Sequence, residues 1–262
     1  MKATMLFGLM LALSFGGKAI AADDDVLHEL APTGTLRVGV AYAPAPTPLF
    51  VVKDAAGEAH GVARDLGAAV GKALDVPVAF FVVATTGEVT NALASGAIDI
   101  GVMPADEDRR KRVDFAPPYF VIECTYLVTD NPEIKAIADV DRGGMTVVGI
   151  AGSATERAAA RSLKVAKIVE AKTVDEAMTM MKAGTAQAFA LTHDALPLLQ
   201  PQVPGSRILD GAFQSFGVGI AVQKDHPAAL AYIKAFTERA KADGTIRRAF
   251  GDAGLNRLQI AP

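Results

Sequence analysis

The sequence predicts an α/β protein built as two similar lobes, and three observations carry that prediction. Strand-like and helix-like patterns alternate from Leu36 onward. The alternating order runs once up to Met103 and again from Met145 to Leu191. A strongly apolar segment, Phe216 to Val222, then precedes two C-terminal helix patterns. Strand, crossover helix and strand in succession imply a parallel sheet with helices on both faces.

The elements follow in order. Leu36 to Val40 is a short β-rich run. Gly61 to Leu74 carries Val62, Leu66, Ala69, Val70 and Leu74 at helical spacing. Val76 to Val83 is continuous in apolar residues, as a buried parallel strand is. Glu88 to Ser95 is a helix stopped by Gly96, and Ile98 to Met103 is the next strand. The order returns as strand Met145 to Ile150, helix Ser153 to Leu163, strand Lys167 to Glu170, helix Val174 to Ala183 and strand Ala188 to Leu191. Glu88 to Gly96 and Glu176 to Gly184 correspond closely, each with a glutamate eight positions before a capping glycine. Chance likeness between two ordinary helix–strand units is the competing explanation.

Pro227 to Ala242 and Thr245 to Phe250 read as helices. Three strands of the second lobe are complete before Phe216, so the chain is expected to cross back and pack these helices on the first lobe. The expected division is 33–125 plus 220–262 for lobe one and 126–219 for lobe two. Crossings near 123–129 and 216–222 would form the hinge. Ligands of open α/β sheets sit beyond the C-terminal strand ends, which here means the cleft between the lobes.

Composition agrees with a soluble, well-packed chain. At 262 residues it suits one large or two ordinary domains, and 51% apolar with 21% charged residues supplies a substantial core. Met1-Lys2, an apolar run from Met5 to Phe15 and Ala19-Ile20-Ala21 read as a secretory signal peptide over 1–21, cut after Ala21. The apolar run is about half the roughly 20 residues that a spanning helix needs. Cleavage would remove Lys2 and Lys18 and take the formal charge from −3 to −5. The basic run from Arg109 to Arg112 is too short for a nucleic-acid surface. Cys124 is the single cysteine, so no internal disulfide forms, and its strand-like setting predicts burial. Four scattered histidines and one cysteine give no metal spacing. No metal and no cofactor are expected.

One stretch concentrates chemistry. Gly101-Val102-Met103-Pro104-Ala105-Asp106-Glu107-Asp108-Arg109 leaves the C-terminal end of a predicted buried strand and places Arg109 at the cleft mouth. A guanidinium stays charged and offers a fork of donors matching a carboxylate. The plainer reading is a solvated basic run.

From Gly101 to Tyr119 the chain resembles the amino-acid-binding branch of the bacterial extracellular solute-binding proteins (family 3) of ABC importers. The resemblance runs from about Thr35 to about Asn256. The family stretch usually reads Gly-Met-Thr-x-Thr-x-Glu-Arg, four residues, Asp-Phe-Ser-x-Pro-Tyr, and Arg109, Asp114, Phe115, Pro118 and Tyr119 fall in register. The likeness implies that Arg109 clamps a ligand carboxylate, with Asp114 and Phe115 fixing the local fold. It implies contacts from the segment Gly39 to Pro44, Tyr42 among them, and from Met103 at the strand end. Gly57 with Gly61 to Leu66, and Asp243-Gly244-Thr245, resemble further family patterns.

In the second lobe, Gly152-Ser153-Ala154 ends a strand and opens a helix. Ser153 and Glu156 fit a capping box, and free N–H groups at the same turn attract an anion. The resemblance favours ligand contact there. His193-Asp194 matches the place where amino-acid binders keep an aspartate for the ligand ammonium, although Asp194 could equally cap a helix. With Arg109 it would match a zwitterion.

What the resemblance implies is a two-lobe type II periplasmic binding protein with two hinge crossings. It would be a secreted periplasmic monomer that takes a small carboxylate-bearing solute to an ABC permease. Departures bear on the ligand. Pro104 stands where the family keeps threonine, and the usual aromatic sandwich is replaced by Pro44 and Thr86, with Tyr42 or Phe50 as substitutes. An unusual amino acid or another organic acid fits these changes. Two rivals are a dehydratase-like enzyme on the same fold, drawing a general acid from His193, Glu123 or Glu88, and a ligand sensor without an importer.

Overall fold

The computed structural model describes residues 23–42 and 47–262. The expected signal peptide and residues 43–46, Pro44 included, lie outside the described residues.

The chain runs α1 (Asp24–Leu30), β1 (Leu36–Ala41), β2 (Val52–Lys53), β3 (Ala59–His60), α2 (Val62–Leu74), β4 (Val78–Val83), α3 (Thr86–Ala94), β5 (Ile100–Pro104), α4 (Glu107–Arg110) and β6 (Val113–Phe115). After β7 (Phe120–Val128) come β8 (Thr146–Ile150), α5 (Ala154–Ser162), β9 (Lys167–Ala171), α6 (Val174–Lys182), β10 (Ala188–Thr192), α7 (Leu196–Leu199) and β11 (Arg207–Ile208). Then β12 (Gln214–Gln223), α8 (Pro227–Ala242) and α9 (Thr245–Asp252) close the chain.

One ladder joins both lobes in the order β4-β1-β5-β12-β7-β10-β8-β9. Its two ends are parallel triplets with the same internal order: second, first, third strand of each lobe. The middle is antiparallel, with β12 paired to β5 and β7, and β7 paired to β10. The long strands β7 and β12 are therefore the two crossings. Apolar cores lie on both faces. One large cluster joins α1, α2, α8 and α9 to β1, β5, β7 and β12, and a smaller one lies under α3. Beyond β7, one cluster lies under α6 and α7 and another under α5.

The correspondence between Glu88–Gly96 and Glu176–Gly184 is realised as α3 leading to β5 and α6 leading to β10. Gly96 and Gly184 end the helices at φ +77° and +70°, a conformation that favours glycine. Val78–Val83 corrects an expectation. It is an edge strand paired only to β1, half-buried except at Phe81, which is 43% exposed. A continuous apolar run reports β propensity here and not two-sided burial. The helix after it begins at Thr86, two residues earlier than the apolar pattern suggests, because Thr85 caps it by accepting from the Glu88 N–H.

Local ion pairs fix the strand starts that position the cleft. Asp99 is buried at the start of β5 and accepts both the Arg37 backbone N–H and the Arg37 guanidinium across β1. Asp114 on β6 pairs with Lys224 at 2.6 Å, and Phe115 packs beneath α3. Both motif residues thus act structurally, as expected.

Candidate functional site

Three loops at the C-terminal ends of parallel strands meet between the lobes. They follow β4, β8 and β9, and each opens a helix with a Ser or Thr cap. Thr85 caps α3, Ser153 caps α5 and Thr173 caps α6 by accepting from the N–H three residues on. With Tyr42, Thr86, Ala151 and Lys172, these caps line a cavity of about 250 Å³. The lobes touch closely beside it. A Cβ on Gly87 would lie 3.1 Å from the Gly152 carbonyl oxygen, so residue 87 is kept small by the opposite lobe.

Arg109 sits next to this contact. It lies in the one-turn helix α4, whose N-cap Asp106 accepts the Arg109 N–H at 2.9 Å. The residue is only 2% exposed. Nη1 donates to the Pro104 carbonyl at 2.8 Å, and Nη2 donates to Thr86 Oγ1 at 2.7 Å. Nε is buried without a hydrogen-bond partner, 3.8 Å from Asp106 Oδ2. Burial pushes its pKa down to about 10, against the pull of Asp106 and with the push of Arg157. The group is still a cation at neutral pH. It lines a second cavity, of about 360 Å³, with Gly87, Thr90, Asn91, Gly152 and Arg157.

Asp106 also receives Arg157 from across the cleft, so one buried carboxylate serves both lobes. Arg157 Nη1 donates to the Gly152 carbonyl at 3.1 Å. Asp108 pairs with Arg161 at 3.3 Å beside it. The two lobes are therefore clasped in this structure.

The sequence-predicted residues divide into three groups. Tyr42 and Ser153 line the smaller cavity, while Arg109 and Gly152 line its neighbour. Lys53 lies 5.1 Å over the Tyr42 ring. Met103 and Ala154 were expected as contacts, but their side chains are core. Met103 is fully buried beneath α3, where its sulfur accepts from Thr90, and Ala154 belongs to the large apolar cluster of the first lobe. His193 and Asp194 stand elsewhere. They line a cavity of about 460 Å³ with Glu123, β7 and the C-terminal residues Arg257 to Pro262. Asp194 Oδ2 is buried there without a partner, and the N-cap position of α7 is Ala195, so Asp194 does not cap it.

Sequence reasoning missed Thr85, Asp106, Arg157, Lys172 and Thr173. A signal for two of them exists. Thr85-x-x-Glu88 and Thr173-x-x-Glu176 repeat the Ser153-x-x-Glu156 pattern, so three capped helix starts are written in the sequence.

Cys124 lies on β7, fully buried, with Sγ 3.5 Å from Thr155 Oγ1. Burial pushes its thiol up to about 11. At pH 8 the native thiol is expected to react with iodoacetamide more than about 100-fold slower than in the urea-unfolded chain. Equal rates would show that the site opens to solvent.

The model for bacterial extracellular solute-binding proteins, family 3, matches residues 36–251. The chain belongs to this family. This family 3 protein is 29% identical over 208 residues to the glutamine-binding protein of Geobacillus stearothermophilus, covering 77% of this chain and 78% of that one. A binding component of an ABC transporter from Wolinella succinogenes, complexed with lysine, superposes with a TM-score of 0.72 at 27% identity, over 83% of this chain and 94% of that one. An ancestral amino acid-binding protein, a precursor of cyclohexadienyl dehydratase, superposes with a TM-score of 0.72 at 30% identity, over 86% and 98%. The fold is that of type II periplasmic binding proteins. Among the described residues, no helix is long and apolar enough to cross a membrane. No cluster of three or more His, Cys, Asp or Glu there could hold a metal ion.

Proposed function

We propose that this family 3 protein is a periplasmic monomer that captures one small carboxylate-bearing solute, an amino acid or related organic acid, and delivers it to an ABC permease. The reading rests on one observation above all. Arg109 is a buried cation held between the lobes, bonded to Thr86 on the wall of the smaller cavity and itself lining the neighbouring one. Its one buried counter-charge, Asp106, is shared with Arg157, so the two guanidiniums carry a surplus positive charge that an anion in the cleft would balance.

The lobes supply matching halves. Tyr42, Thr85 and Thr86 come from one side, and Ser153, Lys172 and Thr173 from the other. A solute touching both is bound fully only in the closed form, so it shifts the population toward closure. The permease would read that closed shape. Of the candidate acids of the dehydratase rival, His193 and Glu123 line the cavity by the C-terminal tail, while Glu88 accepts from Thr85 Oγ1 in the cap of α3.

A thermal-shift screen over amino acids and small organic acids tests the proposal. A solute at about 100 times its Kd adds about 2.7 kcal/mol of stability. That raises the midpoint by several degrees for a chain of this size. A screen in which no carboxylate-bearing compound moves the midpoint sinks the reading.

A further inference from the structure

We propose that the group which the solute places in the smaller inter-lobe cavity is an aliphatic side chain, carried by an amino acid or by a 2-oxo acid. The inference rests on the reading above, that the cleft takes a carboxylate-bearing solute, and it narrows the solute class.

The wall of that cavity is mostly carbon. Ala84, Ile150, Ala151 and Val174 line it with the Tyr42 side chain, whose ring centroid lies 5.1 Å from Lys53 Nζ. Ile150 ends β8 and is buried, and Val174 opens α6 and is half-buried.

The hydroxyls on the wall are already engaged. Thr85 Oγ1 accepts the Glu88 N–H and donates to Glu88 Oε1. Ser153 Oγ and Thr173 Oγ1 accept the N–H groups of Glu156 and Glu176. Thr86 Oγ1 accepts from Arg109 Nη2. The backbone is engaged as well. The N–H groups of Ala151 and Ser153 go to the carbonyls of Ala171 and Ile150, and the Lys172 N–H goes to Glu176 Oε2. Lys172 is exposed, and a lysine stem can line an apolar wall with its ammonium in water.

A polar side chain entering this cavity leaves water and finds few free partners, which costs more than burying a hydrocarbon of the same shape. A cationic side chain fares worse, because no aspartate or glutamate lines the wall among the described residues. An aliphatic side chain gains with every methylene taken out of water. The charge for the carboxylate lies next door. Thr86 and Gly87, and Ala151 to Ser153, divide between the two cavities, and Arg109, Arg112 and Arg157 line the neighbouring one with Asp108.

Calorimetric titration of the purified chain compares leucine with asparagine and valine with threonine, pairs of nearly equal shape that differ in polarity. The compound 4-methyl-2-oxopentanoate, which has the side chain of leucine and no amine, tells an amino acid from a 2-oxo acid. The expected result is that leucine, valine or the oxo acid binds about tenfold or more tighter than asparagine and threonine, within the discrimination that an apolar pocket achieves between isosteres. Val174→Thr, nearly isosteric and checked for folding by its melting midpoint, is expected to weaken that compound about threefold or more. Asparagine or threonine within tenfold of the aliphatic compounds, or unchanged affinity in a folded Val174→Thr chain, overturns the inference. A polar amino acid such as glutamine, lysine or glutamate that binds tighter than all of these also overturns it, and leaves the carboxylate-binding cleft standing. Silence from every carboxylate-bearing compound in the thermal screen overturns both readings.

Discussion

Replacement of Asp106 by alanine is expected to cost the fold about 3–5 kcal/mol, the range seen when one partner of a buried ion pair is removed. Asp106 is 3% exposed and holds three groups. Its Oδ1 accepts the Arg109 N–H, its Oδ2 accepts Arg157 from the other lobe, and the same oxygen lies 3.8 Å from Arg109 Nε. Alanine removes the cap of α4 and the counter-charge of a guanidinium that burial already disfavours. Arg157 can turn to solvent, since a quarter of its side chain is exposed. Arg109 cannot, so most of the loss belongs to it. Asp106→Asn keeps a competent cap and an acceptor, and is expected to lose about half as much. Urea unfolding at pH 7 reads both, with the slope unchanged. A loss under about 1 kcal/mol in Asp106→Ala would show that Arg109 finds another counter-charge.

Arg109 and Asp106 differ sharply in how far the sequence reveals them. Arg109 follows a buried strand by five residues and keeps register with Asp114, Phe115 and Tyr119, so its neighbourhood is local information. Its burial is not. The side chain turns back onto the Pro104 carbonyl and reaches Thr86, 23 positions away in sequence. Pro104 offers neither a hydroxyl nor an N–H, yet its carbonyl is the group that Arg109 uses. Asp106 has the signature of a helix cap, but its bond to Arg157 spans 51 positions and forms only because the lobes meet.

Asp194 shows the same limit from the other side. The turn after β10 is legible from the strand that precedes it, and His193-Asp194 falls where sequence reasoning places it. The cavity it lines depends on the last six residues, which lie over β7 through the Ala261 N–H bonded to the Tyr119 carbonyl. Nothing local to residue 194 encodes that tail. The lobes, their paired strand order and the helix caps are written in short-range pattern. The partition of charge between cavities is written in contacts distant in sequence, such as Asp106 with Arg157 and the Ala261 N–H with the Tyr119 carbonyl.

Arg109→Lys is expected to weaken binding of the screened solute at least 100-fold, about 2.8 kcal/mol at tenfold per 1.4 kcal/mol. Lysine keeps the charge but not the planar fork. It can satisfy the Pro104 carbonyl or Thr86 Oγ1 in this geometry, but not both while offering a donor to the cavity. Thr86, released from Nη2, also loses its fixed place on the wall shared with Tyr42 and Ser153. The comparison with Arg109→Ala separates charge from geometry. Alanine additionally empties the buried space of the side chain and leaves Asp106 to Arg157 alone, so its loss of stability should be the larger of the two, while its loss of affinity should be similar. Calorimetric titration of each folded variant at pH 7.5 gives the answer. Lysine within tenfold of the parent would mean that only a positive charge is needed and that the oriented fork does nothing for the ligand.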